Sequence, residues 1–142
     1  MDNVNKYIHL KNINIIENPK GSIYHALKFS DEEFNGFGEA YFTTINFNET
    51  KGWKFHKKMI MNLIVPFGNV RFNFIHEGSS TCEAIIIGED NYKRLTVYPG
   101  VWMSFTGLNE TKNIILNISN IEHNSSEAIN LPLDHFKLKN YK

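Results

Sequence analysis

The segment 51–57, Lys-Gly-Trp-Lys-Phe-His-Lys, carries the groups best suited to acid–base chemistry. Side chains alternate between the two faces of a strand, so Lys54 and His56 share one face, while Lys51 and Trp53 share the other. Histidine is the usual general base near neutral pH. A neighbouring ammonium disfavours the protonated imidazole, which would keep His56 able to accept a proton. If this face turns into a barrel, the spacing predicts His56 as a catalytic base beside the fixed charge of Lys54.

The same residues also fit a structural interpretation. Lysine-rich hairpins are commonly solvated surfaces, and an isolated histidine is more often structural than catalytic. Trp53 fits a core position or a platform for a ligand ring. The direction in which the strand turns its Lys54–His56 face decides between the two interpretations, and the sequence leaves both open.

A second aromatic stretch covers residues 98–105, Tyr-Pro-Gly-Val-Trp-Met-Ser-Phe. The Pro-Gly pair predicts a tight turn, and Trp102 and Phe105 follow on the next strand. Aromatic faces near a barrel mouth can stack on a nucleotide base or a sugar, and they fit a core equally well. His76 ends another strand beside a Gly-Ser-Ser turn, where it fits either a ligand contact or a surface loop.

Composition excludes several classes of protein. Fifteen basic and fifteen acidic residues give a net charge of zero, so no broad nucleic-acid or membrane-surface footprint is expected. A single cysteine, Cys82, lies in an apolar strand and fits a structural residue of a reducing compartment. The amino-terminal residues lack the apolar centre of a signal peptide, and no apolar run is long enough to span a membrane. We therefore expect a cytoplasmic protein.

Short β-favouring segments dominate the chain and are broken by Gly, Asn, Asp or Pro about every 8–12 residues. Gly68-Asn69 and residues 88–91 predict hairpin turns, and residues 31–34 and 126–129 predict single helical turns. Without βαβ alternation, the pattern predicts an all-β sandwich or barrel in one domain, residues 1–142. The predicted strands are 7–15, 22–29, 38–46, 52–57, 60–66, 69–76, 81–87, 93–98, 102–107 and 113–117.

The order of these motifs resembles the dTDP-4-dehydrorhamnose 3,5-epimerase family over roughly residues 20–134. That family runs from a Gln-x-Asn-x-Ser strand through Arg-Gly-Leu-His-Tyr-Gln, a Gly turn, an Asp-x-Arg strand end and a Pro-x-Gly-Phe-Ala-His-Gly-Phe turn to an acidic segment. The resemblance implies a cupin-type jelly roll, usually a homodimer, with a nucleotide sugar bound in the barrel. The corresponding stretches here are 39–43, 51–56, Gly68, 74–76, 98–105 and 124–129.

The resemblance also implies roles for the segment 51–56. The family register places Lys54 at the catalytic histidine and His56 two residues later, on the same strand face. We expect His56 to be the base, and Lys54 to stabilise an enolate oxygen. Lys51 stands at the phosphate-binding arginine, which keeps the charge but loses the bidentate geometry.

Further substrate contacts are expected from other strands. His76 stands at the arginine of the strand end, and Trp53 or Trp102 would pack against the base or the sugar. The family's tyrosine position falls at Ile121 or Glu122. His123 and Tyr41 are the candidates for the opposite-face proton donor, and Glu39 is expected to be a further substrate contact.

No metal and no cofactor are expected. The metal positions of other cupins correspond here to Lys54, His56, the region of Met61 and Asn62, and Met103. Ammonium and thioether groups do not replace imidazole and carboxylate as ligands of such metals. The chain also lacks a Gly-rich phosphate loop, a G-x-S-x-G elbow, a C-x-x-C pair and an H-E-x-x-H pair.

These features together predict a nucleotide-sugar isomerase for a dTDP- or other NDP-4-keto-6-deoxyhexose. It would epimerise C3, C5 or both, or catalyse 3,4-ketoisomerisation, in surface polysaccharide or deoxysugar biosynthesis. The first alternative is a non-catalytic cupin that binds a sugar nucleotide or supports a partner enzyme. The second is a cupin that binds a free sugar or small metabolite.

Overall fold

The computed structural model describes residues 6–79 and 81–136, and nearly all of their regular structure is β. Two 3-10 turns, Ser125–Glu127 and Leu133–His135, complete the regular elements. The described residues contain no helix long and apolar enough to cross a bilayer. The strands are β1 Ile8–Asn12, β2 Ile15–Ile16, β3 Ile23–Tyr24, β4 Glu39–Thr44, β5 Thr50–His56, β6 Met61–Phe67, β7 Asn69–His76, β8 Glu83–Gly88, β9 Lys93–Val97, β10 Val101–Gly107, β11 Ile114–Ser119 and β12 Ala128–Asn130.

Two five-stranded antiparallel sheets build a jelly roll. The first has the strand order β1-β9-β6-β11-β4, and the second has the order β12-β5-β10-β7-β8. Strands β2 and β3 form a separate two-stranded ribbon. The predicted all-β, cupin-type jelly roll is confirmed.

The main core lies between the two sheets, because alternate residues of the strands are apolar and turn inward. Val70, Phe72 and Phe74 on β7 are fully buried, as the alternation in the sequence predicts. Leu95 and Val97 on β9 meet them from the first sheet. Burial of each such side chain contributes about 1.5–3 kcal/mol, so this cluster is the main source of stability.

A smaller core, which we call the outer core, covers the outer side of the second sheet. Trp53, Ile75 and Trp102 form it, and Leu133 and Phe136 from the C-terminal segment pack over it. Ile75 follows Phe74 on β7, and successive residues of a strand point to opposite faces. The second sheet is therefore apolar on both sides.

Residues 25–36, which we call the strap, cross the outer side of the first sheet. Arg94 on β9 fastens the strap from beneath and is only 1% exposed. Its Nη1 donates to Asp31 Oδ2 at 3.1 Å and to the Ala26 carbonyl at 3.0 Å, and its Nη2 donates to Glu33 Oε1 at 2.8 Å. The strap leads directly into β4, so its attachment helps to place that strand.

Some predicted local structures are wrong. The Gly68-Asn69 turn is not a hairpin, because β6 pairs within the first sheet and β7 within the second. Residues 31–34 form a hydrogen-bonded turn instead of a helical turn, and the predicted strand 22–29 contracts to β3. By contrast, Gly88 and Asn91 exchange both backbone hydrogen bonds, as expected for a tight turn.

Candidate active site

A cavity of about 360 Å³ opens between the two sheets. Its volume lies in the range of roughly 300–1,000 Å³ that is typical of small-molecule sites. It joins an apolar interior to polar side chains from several strands. The apolar lining includes Met59, Met61, Leu63, Phe72, Met103, Phe105 and Ile115, and the polar lining includes Glu39, Tyr41, Lys51, Lys54, His56, Asn117 and His123.

A β-bulge in β5 determines which of its side chains face the cavity. Lys54 pairs with Met103 and Lys51 pairs with Phe105, although the β10 partners are two positions apart and the lysines are three positions apart. Trp53 is the extra residue. Strict alternation predicted Lys51 on the face opposite Lys54 and His56; the bulge instead brings all three to the cavity.

Gly52 makes this close approach of β5 and β10 possible. Its φ of 133° is unfavourable for residues with a side chain. A Cβ atom there would lie 2.6 Å from Ser104 Cα on β10. The bulge therefore requires glycine at position 52.

His56 is held by a carboxylate that the sequence analysis did not identify. Its Nδ1 lies 2.8 Å from Glu127 Oε1, and both side chains are largely buried. The second carboxylate oxygen, Oε2, accepts hydrogen bonds from the backbone N–H groups of Lys58 at 2.9 Å and Met59 at 2.8 Å. An ionised carboxylate can only accept hydrogen bonds, so Nδ1–H of His56 donates to Glu127, and Nε2 is the ring nitrogen left to accept a proton.

The environment of Glu127 keeps it ionised. Burial raises its pKa, but the hydrogen bonds from His56, Lys58 and Met59 outweigh burial, and the pKa is lowered. A stable carboxylate beside Nδ1 favours the proton-accepting tautomer and stabilises the imidazolium that forms after proton transfer. The geometry is that of a histidine base with an orienting acid.

Lysine side chains occupy the same wall of the cavity. Lys51 Nζ donates to the Thr44 carbonyl at 2.9 Å, which joins β5 to β4. The ammonium group of Lys54 makes no hydrogen bond or ion pair with any residue in 6–79 or 81–136. An ammonium without a protein partner at a cavity wall is available to an anionic group of a ligand.

The opposite wall comes from β4 of the first sheet. Tyr41 Oη accepts a hydrogen bond from Asn117 Nδ2 at 3.0 Å, and Asn117 Oδ1 accepts one from Ser119 Oγ at 3.2 Å. The Tyr41 hydroxyl hydrogen therefore remains able to donate. Glu39 Oε2 accepts a hydrogen bond from the backbone N–H of His123 at 3.1 Å, which places both residues at the exposed rim.

Seven of the nine predicted site residues contribute to the cavity lining: Glu39, Tyr41, Lys51, Trp53, Lys54, His56 and His123. Trp53 borders the cavity, but its side chain is fully buried in the outer core and its Nε1 donates to the Leu133 carbonyl at 3.3 Å. This matches the structural interpretation of Trp53 and leaves no indole surface for a ligand.

The other two predicted contacts, Trp102 and His76, lie outside the cavity lining. Trp102 alternates with the inward-facing Met103, so it belongs to the outer core and packs against Phe55 at 5.1 Å between ring centroids. His76 packs against Tyr7 at 4.9 Å. The position of Trp102 fits the core alternative considered from the sequence.

Residues 6–79 and 81–136 place neither a metal cluster nor a nucleophilic cysteine at this site. Within the described ranges, no three His, Cys, Asp or Glu side chains are grouped as metal ligands. Burial raises the pKa of the Cys82 thiol, which keeps it protonated and unreactive. The chemistry available in the cavity is that of His56, Tyr41 and the lysines.

Comparisons with known proteins find solved structures with a similar fold. No model of a known protein family matches the chain, and no curated protein matches it. A dTDP-sugar isomerase from Desulfovibrio desulfuricans G20 has a similar structure, with 26% identity, a TM-score of 0.88, and coverage of 94% of this chain and 90% of that chain.

Two further structures are similar in fold. The QdtA sugar 3,4-ketoisomerase from Thermoanaerobacterium thermosaccharolyticum, solved in complex with TDP, has 19% identity, a TM-score of 0.75, and coverage of 87% of this chain and 88% of that chain. A dTDP-6-deoxy-D-glucose-3,5-epimerase from Legionella pneumophila was solved in complex with dTDP-4-keto-L-rhamnose. It has 12% identity, a TM-score of 0.73, and coverage of 90% of this chain and 79% of that chain. These neighbours confirm the structural resemblance to the dTDP-4-dehydrorhamnose 3,5-epimerase family.

Proposed function

We propose that this protein is a nucleotide-sugar isomerase that moves protons beside the keto group of a dTDP-linked 4-keto-6-deoxyhexose. The observation that carries the proposal is the His56–Glu127 pair at a cavity whose opposite wall presents Tyr41. A base and a separate hydroxyl donor on facing sheets are what proton removal and return require. The structural likeness to a dTDP-sugar isomerase supports the substrate class.

In the proposed first step, the C–H bond next to the C4 keto group breaks. Its proton goes to His56 Nε2, and its electron pair forms an enolate whose negative charge lies on the C4 oxygen. Lys54 stabilises that oxygen as a fixed positive charge, and Glu127 stabilises the imidazolium. Because Lys54 has no competing partner in the described part of the chain, it needs no rearrangement to do so.

The second step decides the product. If Tyr41 donates a proton to the same carbon from the other face, that carbon is epimerised. In the other course, the C4 oxygen is protonated first. The C3 hydroxyl then loses its proton as His56 delivers its proton to C4, and the result is 3,4-ketoisomerisation. Both outcomes use the same base. Epimerisation at C3 and 3,4-ketoisomerisation share the C3–C4 enediolate, whereas epimerisation at C5 passes through the C4–C5 enolate.

The remaining proposals concern ligand binding, cellular location and oligomeric state. We propose that Lys51 binds a phosphate oxygen of the nucleotide, and that Glu39 and His123 contact the ligand at the rim. The lone, unreactive Cys82 supports a cytoplasmic enzyme of deoxysugar biosynthesis. We also propose that the protein acts as a homodimer.

Proton NMR of dTDP-4-keto-6-deoxyglucose in deuterated buffer tests the proposal. We expect the wild type to exchange the C3 proton, the C5 proton or both, and we expect His56→Ala to abolish that exchange. Tyr41→Phe should retain exchange of the first proton but lose net conversion if Tyr41 is the opposite-face donor. Nucleotide-sugar binding without any exchange by the wild type would establish the non-catalytic alternative, and undiminished exchange in His56→Ala would remove His56 from the mechanism.

A further inference from the structure

Three polar side chains, which we call the tyrosine network, lead from the interior of the first sheet to the candidate proton donor. Ser119 Oγ donates to Asn117 Oδ1 at 3.2 Å, and Asn117 Nδ2 donates to Tyr41 Oη at 3.0 Å. The exposed fraction rises along the network, from 0% for Ser119 and 5% for Asn117 to 44% for Tyr41. The network therefore joins a fully buried hydroxyl to one at the cavity.

Strand pairing gives this network a firm support. Asn117 lies on β11, which pairs with β6 on one side and with β4 on the other, and its register partner on β4 is Tyr41. Ser119 follows two residues later, on the same face of β11. Strand β4 ends the first sheet and pairs there with β11 only. The hydrogen bond from Asn117 therefore fixes the hydroxyl of an edge-strand tyrosine to an internal strand.

The amide of Asn117 gives the network a direction. An amide oxygen only accepts hydrogen bonds and an amide nitrogen only donates them, whereas a hydroxyl can do both. If this amide were reversed, Nδ2 would face Ser119, and Oδ1 would accept the hydroxyl hydrogen of Tyr41. That hydrogen would then be held by the protein and withdrawn from a ligand in the cavity.

The buried serine favours the orientation that leaves the Tyr41 hydrogen free. In the part of the chain that the structure describes, Asn117 is the only hydrogen-bond partner of the Ser119 hydroxyl. A reversed amide would leave the Ser119 hydrogen unpaired at a fully buried site, which is destabilising. The side chain of Tyr41 lines the cavity, where a ligand or water can accept its hydrogen.

We propose that Ser119 and Asn117 are positioning residues that keep the hydroxyl hydrogen of Tyr41 directed into the cavity. When Tyr41 returns a proton, its Oη–H bond breaks, the electron pair stays on Oη, and the electron pair of the enolate forms the new C–H bond. The Asn117 hydrogen bond stabilises the negative charge that develops on Oη. The inference rests on the proposed function, in which Tyr41 acts from the face opposite His56.

The experiment compares Asn117→Asp with Asn73→Asp by proton NMR of dTDP-4-keto-6-deoxyglucose in deuterated buffer at about pH 8, where an aspartate is ordinarily ionised. A carboxylate only accepts hydrogen bonds, so it takes the hydrogen of Tyr41. We expect Asn117→Asp to lower net conversion about tenfold or more, because the general acid is lost. Exchange of the first proton should stay within about twofold of the wild type, because His56 is unchanged.

Asn73 provides the matched control. It lies on β7, is 1% exposed and donates to Ser104 Oγ at 3.1 Å, but it does not line the cavity. Asn73→Asp therefore makes the same change at a buried serine-bonded amide away from Tyr41. We expect it to keep the wild-type ratio of net conversion to proton exchange.

Ser119→Ala tests the same proposal without adding a charge, so it decides the question if Asn117→Asp does not fold. The alanine removes the hydroxyl that favours one orientation of the Asn117 amide. We expect net conversion to fall by less than in Asn117→Asp, again with exchange of the first proton retained.

The outcomes separate this inference from the proposed function. Wild-type conversion by a folded Asn117→Asp or by Ser119→Ala would overturn the positioning role, as would equal losses of exchange and conversion, which indicate a purely structural effect. Unchanged conversion by Tyr41→Phe would also overturn it, because no donor would need positioning, while proton removal by His56 would stand. A wild type that exchanges no proton would contradict the proposed function and, with it, this inference.

Discussion

Replacing Glu127 by glutamine changes one charge at the centre of the candidate active site while preserving shape. The carboxylate accepts from His56 Nδ1 at 2.8 Å and from two backbone N–H groups, those of Lys58 and Met59. The single oxygen of a glutamine can accept from the imidazole or from the two backbone N–H groups, but not from both. The amide nitrogen must then face either the imidazole N–H or the two backbone N–H groups, which are all donors.

The magnitude follows from the kind of hydrogen bond that is lost. A hydrogen bond to a charged group contributes about 1.5–3 kcal/mol. If that stabilisation acts on the imidazolium in the transition state, the rate falls about tenfold to a hundredfold, at about 1.4 kcal/mol per factor of ten. Global stability should fall by a similar amount, about 1–3 kcal/mol, because a buried group is left poorly paired.

The pH dependence of stability provides an independent readout. The pKa of Glu127 is lower in the folded protein than its ordinary value of 4.5, so the unfolded chain binds the proton more tightly. The stability due to this group is therefore full above pH 4.5 and is lost as the pH falls through the folded-state pKa. Glu127→Gln should unfold with a weaker dependence on pH in the acid range, measured by urea denaturation between about pH 3 and 6.

The assay for the catalytic part is the deuterium exchange rate, measured for the wild type, Glu127→Gln, His56→Ala and the double variant. Glu127 acts through His56, so the double variant should be no slower than His56→Ala. Wild-type exchange by Glu127→Gln would refute the orienting role.

Two other substitutions test how the fold positions the site. Arg94→Met should destabilise the protein by about 3–5 kcal/mol, because it leaves the Asp31 and Glu33 carboxylates near an apolar side chain. An unchanged urea midpoint would show that attachment of the strap does not depend on the ion pairs of Arg94. Gly52→Ala should lower the melting temperature and the exchange rate together, because the alanine Cβ would collide with Ser104. Gly36→Ala is the control for backbone strain alone, because Gly36 also has a positive φ but lies in open space.

The fold was predictable because it depends on local alternation. The period-two pattern of Val70, Phe72 and Phe74 predicts their shared inward face, and turn residues predict most strand ends. Pairing partners are not local, and this explains the error at Gly68. A glycine turn between two strands looks the same in sequence whether the strands pair or diverge into different sheets.

The candidate site was predictable only in part, and the bulge explains one omission. Alternation assigns Lys51 and Lys54 to opposite faces, and nothing in the residue types reveals that Trp53 is an extra residue in the ladder. A tryptophan after a glycine in a lysine-rich strand was the available signal, since glycine within a strand often marks a bulge.

Glu127 was missed for a different reason. It lies 71 residues from His56, and only the closure of β12 against β5 brings the two together. The predicted helical turn at 126–129 did locate the local structure, which is the 3-10 turn Ser125–Glu127 capped by Asn124. Its inward direction depends on tertiary pairing, which no short sequence pattern contains.

Because of the bulge in β5, the positions that face the ligand cavity differ from the position that stabilises the fold. Lys51 and Lys54 face the cavity, whereas Trp53, lying between them, belongs to the outer core. Substitutions at the two lysine positions can therefore change which ligand groups are recognised without disturbing the packing that closes the sheet. Descendants of this chain could diverge in substrate through these two codons while the tryptophan between them stays under constraint.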